Sequence, residues 1–398
     1  MIIISRPITT QTALRSAALK AQPAPLLARI ARQRSVPISY QCQEYSSLRA
    51  MSTATFSHAP QARIRKPINA ALFQLSVTAN KAHNLAQGRS KVLSYVSSNP
   101  SVNLIVLPEI WQSLYGTQHF ATYAEDFGGL WGKIKGQTSS SSQRAERSKR
   151  RWSIDNENGA GAVELGEDCK SESLVMLSRL AKETGCVVVG GSIPEREDDR
   201  LYNTASVFDE KGRIISLFRK VHLFDIDVPG MKFQESLTLS PGDQVTMFDC
   251  SLGRFGLAIC YDMRFPELAQ IASRAGACGM IYPGAFNTTT GPRSWELLLR
   301  ARAADNQLYV LGCSPARPSA RDLEVEKYYP AWGHSTVVDP WGTVLATTDE
   351  TDSVVTAKLE KEIVEACRKG LPVSTQRRFD LYADVSREGP SGKGEAPR

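Results

Sequence analysis

The chain has 398 residues, 42% hydrophobic and 22% charged, which is two to three domain-lengths at about 150 residues each or one large α/β domain with extensions, and too long for a stapled mini-protein. Its eight cysteines show neither a CxxC pair nor a regular spacing, which argues against a secreted disulfide scaffold or a zinc ribbon and for a reducing compartment. The net charge of +7 is confined to the N-terminus, where residues 1–66 hold ten basic side chains and one acid, Glu44; the remainder has 38 basic against 40 acidic side chains and lacks the excess that tracking nucleic-acid phosphates requires.

Residues 1–65 form a basic extension in which Leu14, Ala18, Leu26, Leu27 and Ile30 lie among spaced arginines, the composition of a mitochondrial presequence. An unstructured tail carrying no address is the alternative reading. Met51 offers a second start that skips most of the arginines and leaves a cytosolic form. A domain spans 66–386. It opens with a strand over 68–74, an amphipathic helix over 80–98 and a buried strand over 103–107, a βαβ unit. A helix over 174–183 closed by Gly185, a strand over 186–189 and a hairpin of 203–208 with 214–218 follow. Strands over 255–260, 279–282, 309–313, 335–338 and 354–359 then alternate with helices over 266–274 and 295–304, giving a mixed α/β fold. Residues 133–173, with a serine run, a basic cluster and no apolar periodicity, read as a disordered insertion, and 387–398 as a polar tail. No apolar run approaches the ~20 residues of a membrane span, so no membrane partner is expected.

Three residues end apolar strands. Cys260 alone reads as a small buried hydrophobe, but it lies where an open α/β sheet presents reactive groups and where the chain turns towards a helix at Pro266. Glu109, after Leu107-Pro108, alone reads as a helix-start carboxylate or a surface charge, and Lys220, after the strand over 214–218, as a solvent-facing lysine. Together they supply a thiol nucleophile, a carboxylate able to take and return its proton, and a cation for an oxyanion. His222 beside the lysine admits a Cys-His protease. The other histidines form no HExxH spacing and there is no GxxxxGK[ST] loop, so neither metal nor cofactor is implied.

Leu107-Pro108-Glu109, Arg219-Lys220-Val221-His222-Leu223-Phe224-Asp225 and Cys260-Tyr261-Asp262-Met263-Arg264-Phe265-Pro266-Glu267 resemble, in order, the three signatures of the nitrilase (carbon–nitrogen hydrolase) superfamily. That resemblance implies an αββα sandwich, four-layered as αββα–αββα in a homodimer. It also implies Cys260 as nucleophile, Glu109 as base and acid, Lys220 with the Tyr261 N–H for the oxyanion, and Glu235 as a second glutamate holding lysine and base in place.

The segments 222–230 with 233–236, 285–291 and 331–335 resemble the omega-amidase branch, and the closing 376–382 its fungal form. This implies hydrolysis of 2-oxoglutaramate and 2-oxosuccinamate to ammonia and a dicarboxylic 2-oxo acid. Arg264 suits the remote carboxylate, with Tyr115, Phe286 and Thr290 as pocket candidates by motif position; a structural ion pair for Arg264 and core packing for the two aromatics are the alternatives. The chain departs from the family in carrying Ser294, where a histidine is usual, before Trp295, and in the long insertion. The nearest rival is an amidase of deaminated glutathione; a catalytically idle scaffold, or nucleic-acid binding through the N-terminal arginines, belongs to other classes.

Overall fold

The computed structural model describes residues 62–136, 152–167, 169–229 and 231–386. The N-terminal extension as far as 61, Met51, residues 137–151 and the tail 387–398 lie outside them. In chain order the strands are β1 (Ile68–Gln74), β2 (Leu104–Val106), β3 (Glu125–Asp126), β4 (Trp152–Asp155), β5 (Val187–Glu197), β6 (Arg200–Phe208) and β7 (Ile214–Arg219). A small hairpin of β8 (Asp225–Val228) and β9 (Met231–Gln234) precedes β10 (Val245–Asp249), β11 (Arg254–Leu257), β12 (Gly279–Pro283), β13 (Tyr309–Cys313), β14 (Thr336–Val338), β15 (Val344–Thr347) and β16 (Ser353–Leu359).

One sheet runs β16-β1-β2-β5-β6-β7, with β3 also on β5, and the other runs β15-β14-β13-β12-β11-β10-β4. Period-two alternation sorts the first sheet's side chains. Ala70, Leu72, Leu104, Val106, Val187 and Val189 face the second sheet, in a core shared with Met247, Phe255 and Leu257. Their neighbours Ala71, Phe73, Ile105, Leu107 and Val188 face the helices Lys81–Ser98 and Glu172–Thr184. Pro266–Arg274 and Gly291–Asn306 cover the other sheet. The result is the expected αββα sandwich.

Local chemistry sets the helix ends. The Asn80 side chain accepts from His83 N at 3.0 Å, Ser171 Oγ accepts from Leu174 N at 3.1 Å, and Gly185 takes the left-handed φ of +64° that closes the second helix. Gln74, fully buried at the end of β1, crosses between the sheets. Its Nε2 donates to the carbonyls of Asp349 (2.7 Å) and Thr351 (2.6 Å), while its Oε1 accepts from Ser335 N, Ser335 Oγ and Thr348 Oγ1. A buried amide is costly unless satisfied in this way.

Three expectations need correction. Residues 133–173 are not one disordered insertion: 133–136 finish a helix (Leu130–Gly136), and Trp152–Asp155 is β4, parallel to β10 at the sheet edge. Ser153 and Asp155 obscured this strand because they are polar yet buried, Asp155 accepting from Ser216 Oγ at 2.8 Å. The strand expected over 186–189 continues to Glu197, because the pair Gly190-Gly191 marks a bulge in the pairing with β6 rather than an end. The strand expected over 255–260 stops at Leu257, and Cys260 opens a short 3₁₀ helix (Cys260–Arg264).

Candidate active site

Each predicted catalytic side chain leaves the end of a strand, and the local sequence explains how. Past β2, Leu107 N donates to Val189 O (2.9 Å), Ser192 N to Pro108 O (3.1 Å) and Ile110 N to Ser192 O (2.8 Å), so the chain around Glu109 is stitched to β5 across the bulge. Gly191, at φ +67°, makes this possible, since a Cβ there would stand 2.1 Å from Pro108 O. Lys220 follows β7, its N–H donating to Asn203 O at 2.9 Å. Cys260 has φ +48°, a left-handed conformation that costs energy in a non-glycine residue and persists only where its surroundings impose it. Asp262 supplies part of that constraint. Its Oδ2 accepts from Ile259 N at 3.0 Å, and its Oδ1 from both N and Nδ1 of His222 at 2.8 and 2.9 Å, tying the nucleophile turn to the lysine segment.

The side chains converge in a dry centre. Glu109, Lys220, Glu235 and Cys260 are each at most 3% exposed. Lys220 Nζ lies 3.0 Å from Glu109 Oε1 and 2.9 Å from Glu235 Oε2. Glu109 Oε1 also accepts from Asn203 Nδ2 (2.8 Å) and its Oε2 accepts from Ala285 N (2.7 Å), and the Cys260 thiol interacts electrostatically with the same carboxyl. Glu235 is held by Tyr115 OH (2.6 Å) and Phe224 N (2.7 Å).

Burial is the largest influence on Glu109, pushing its carboxyl above the usual range; the Glu235 charge adds to this and Lys220 opposes it. Burial alone would lower the Lys220 ammonium, but the two glutamates override it and hold the lysine firmly charged. Burial and then the Glu109 charge push the Cys260 thiol well above its usual value. Both the burial and the neighbouring charge favour the neutral thiol, so activation of the sulfur calls for a base.

The remaining predicted residues make contacts of their own. Tyr261 is the second residue of the 3₁₀ helix, where a leading N–H has no intrahelical acceptor. The half-buried Arg264 guanidinium lies 5.1 Å over the Phe286 ring and 5.7 Å from that of Tyr261. Among the described residues no carboxylate lies within ion-pair distance of it. Phe286 packs edge-on against Trp295 at 5.2 Å. Tyr115, expected to touch substrate, commits its hydroxyl to Glu235 and its ring to Phe120, Phe233 and Tyr329. Thr290 Oγ1 is held by Asn287 Oδ1 at 3.0 Å, at the start of the helix Gly291–Asn306. Ser294 sits in that helix's first turn, and Trp295 beside it donates to His334 O at 2.6 Å.

Sequence reasoning missed Asn203, the Ala285 N–H, Asp262 and Tyr329, whose hydroxyl donates to Ala285 O at 2.9 Å. Asn203 left one signal, an amide inside the otherwise buried run of β6. The Ala285 contact is made by backbone and has no signature in residue type.

Residues 69–369 match the family model described as carbon–nitrogen hydrolase. The chain is 48% identical over 315 residues to Hydrolase C26A3.11 of Schizosaccharomyces pombe, covering 79% of this chain and 83% of that protein. It is 40% identical over 327 residues to Omega-amidase NIT3 of Saccharomyces cerevisiae, covering 81% and 97%. The crystal structure of Saccharomyces cerevisiae Nit3, described as a member of branch 10 of the nitrilase superfamily, superposes with a TM-score of 0.63 at 38% identity, over 79% of this chain and 98% of that one. With fold and relatives in agreement, the chain belongs to the carbon–nitrogen hydrolase family and is an amidohydrolase.

Proposed function

We propose that the chain is an omega-amidase, hydrolysing 2-oxoglutaramate and 2-oxosuccinamate to ammonia and the 2-oxo dicarboxylate through a thioester on Cys260. Cys260 Sγ attacks the amide carbonyl as Glu109 takes the thiol proton, forming the C–S bond. The Lys220 ammonium and the Tyr261 N–H hold the resulting oxyanion, a preorganised stabilisation that is strong in a water-poor site. Glu109 passes its proton to the amide nitrogen, the C–N bond breaks and ammonia departs. Glu109 then takes a proton from water as the hydroxyl adds to the thioester, and returns it to sulfur as the C–S bond breaks. Glu235, held by Tyr115 and Phe224, keeps Lys220 in place.

The observation that carries the substrate reading is Arg264: a half-buried guanidinium over Phe286, without a carboxylate partner among the described residues, suited to a bidentate grip on the substrate's distal carboxylate. Relatives named omega-amidase support the same reading.

Ammonia release from 2-oxoglutaramate, deaminated glutathione, glutamine and a simple nitrile tests it. Release is expected to be strongest from 2-oxoglutaramate, absent in Cys260→Ala, and carried to a much higher KM in Arg264→Gln. Stronger release from deaminated glutathione would move the enzyme to the rival specificity, and silence on every substrate would favour the idle scaffold. The proposal extends to a mitochondrial location through the basic N-terminus, which N-terminal sequencing of the protein from the two cell fractions tests, and to a homodimer, which light scattering tests.

A further inference from the structure

Asn203 lies in β6, where the register that pairs Thr204 with Arg219 brings it opposite Lys220. It is 1% exposed. Its backbone oxygen accepts from the lysine N–H and its side-chain Nδ2 donates to Glu109 Oε1 at 2.8 Å, so one residue contacts both members of the ion pair. The two oxygens of Glu109 are consequently unequal. Oε1 receives Lys220 Nζ and Asn203 Nδ2, which fills both of its acceptor directions, whereas Oε2 receives one N–H, that of Ala285, and keeps a lone pair open. The terminal torsion of a glutamate is soft, so such donors decide which oxygen faces which partner. Nothing else explains the amide: its Oδ1 is buried and without a partner among the described residues, so the group is oriented by Glu109 and not by its fit to the core.

We propose that Asn203 is a positioning residue for the general base, pinning Glu109 Oε1 against Lys220 and so reserving Oε2 for the proton that moves between Cys260, the leaving nitrogen and water. This rests on the reading of Glu109 as base. Besides Asn203, the groups facing Glu109 are Lys220, Glu235, the Cys260 thiol and the phenols of Tyr115 and Tyr329. Asn203 is the neutral donor among the side chains on Oε1. It favours the ionised carboxylate, and its removal moves the acid limb of the rate profile to higher pH.

The test uses the full chain with 2-oxoglutaramate and two near-isosteric variants, Asn203→Leu and Asn203→Asp. In Asn203→Leu, kcat is expected to fall by about 10- to 100-fold, the span of one lost charge-assisted hydrogen bond, with KM within about threefold. The acid limb of kcat/KM is expected at higher pH in both variants, and further displaced in Asn203→Asp, where a second carboxylate faces Glu109. A merely structural role would lower the active fraction and leave the limb in place; that outcome, with active sites counted by thiol titration, would overturn the proposal, as would wild-type kcat in both variants. Parallel Glu109→Gln and Cys260→Ala enzymes separate the two levels. Turnover surviving in either would overturn the reading of the base, whereas their silence beside a fully active Asn203→Leu would overturn the positioning role alone.

Discussion

The Lys220 ammonium stands 3.0 Å from Glu109 Oε1, and both side chains are shut away from solvent. With Glu235 at 2.9 Å on the same nitrogen, one cation serves two carboxylates. Lys220→Met leaves those carboxylates facing each other without compensation, so turnover should vanish and stability at neutral pH fall by about 3–5 kcal/mol. Urea unfolding checks the second part, and the deficit should shrink as pH drops and Glu109 takes up a proton. Unchanged stability at neutral pH would mean that the lysine is not what holds the pair together.

Burial, reinforced by Glu235, raises Glu109, and the first proton transfer needs its ionised form. The acid limb of kcat/KM should therefore rise with pH about a midpoint above ~4.3, the ordinary glutamate value. That midpoint belongs to the coupled cluster and not to Glu109 alone. A rate profile flat down to the ordinary carboxylate range would remove Glu109 as the base.

Gly191→Ala tests the path by which a distant backbone position governs the base. The added methyl meets Pro108 O at 2.1 Å and the φ of +67° disfavours any side chain, so the loop bearing Glu109 has to shift. Expected are a fall in kcat of at least about tenfold, on the scale that small misplacements cost catalysis, and a lower Tm. Wild-type kinetics would show that the loop absorbs the methyl without moving the carboxylate.

Where β10 meets β11, Arg254 grips Asp249 with Nε to Oδ1 at 2.7 Å and a second nitrogen to Oδ2 at 2.9 Å. Burial alone would raise the Asp249 carboxyl, but the hydrogen bonds and charge of Arg254 outweigh it and hold the group below its usual value. Its contribution is thus complete above the unfolded value of ~3.9 and lost as pH falls through the lower folded value. Asp249→Asn should cost about 3 kcal/mol at pH 7, the low end for an orphaned buried charge, because Arg254 keeps Glu157 at 3.3 Å. The difference from wild type should close in acid, and urea titrations at several pH values would reveal a constant gap if the ion pair is irrelevant.

How much was legible depended on where the signal resides. The strand over 68–74 and the helix over 266–274 were readable to the residue, since a short apolar run in the one and a leading proline with an apolar stripe in the other lie within the segment itself. Cys260, Glu109 and Lys220 were readable as a set because their motifs are contiguous, whereas their mutual distances depend on packing between sheets. β4 was hidden because two of its buried residues, Ser153 and Asp155, are polar and the strand finds its partners on β7 and β10, far along the chain. Asn203 resembled any strand asparagine until the β6–β7 register set it beside the lysine. The contact of the Tyr115 hydroxyl with Glu235 was hidden for a related reason, since it joins segments far apart in the chain and only the fold brings them together.

Glu109 and Lys220 come from the ends of β2 and β7 in one sheet, while Cys260 and the Ala285 N–H follow β11 and β12 in the other. The chain laces the halves together by lending β4 to the later sheet and returning β16 to the earlier one. Neither sheet alone therefore contains a working centre, and ammonia release becomes a chemical clock for their docking. In a refolding experiment, activity should appear only with the last cooperative step that closes the sandwich, after secondary structure has formed, and two separately expressed halves should regain turnover only upon reassociation.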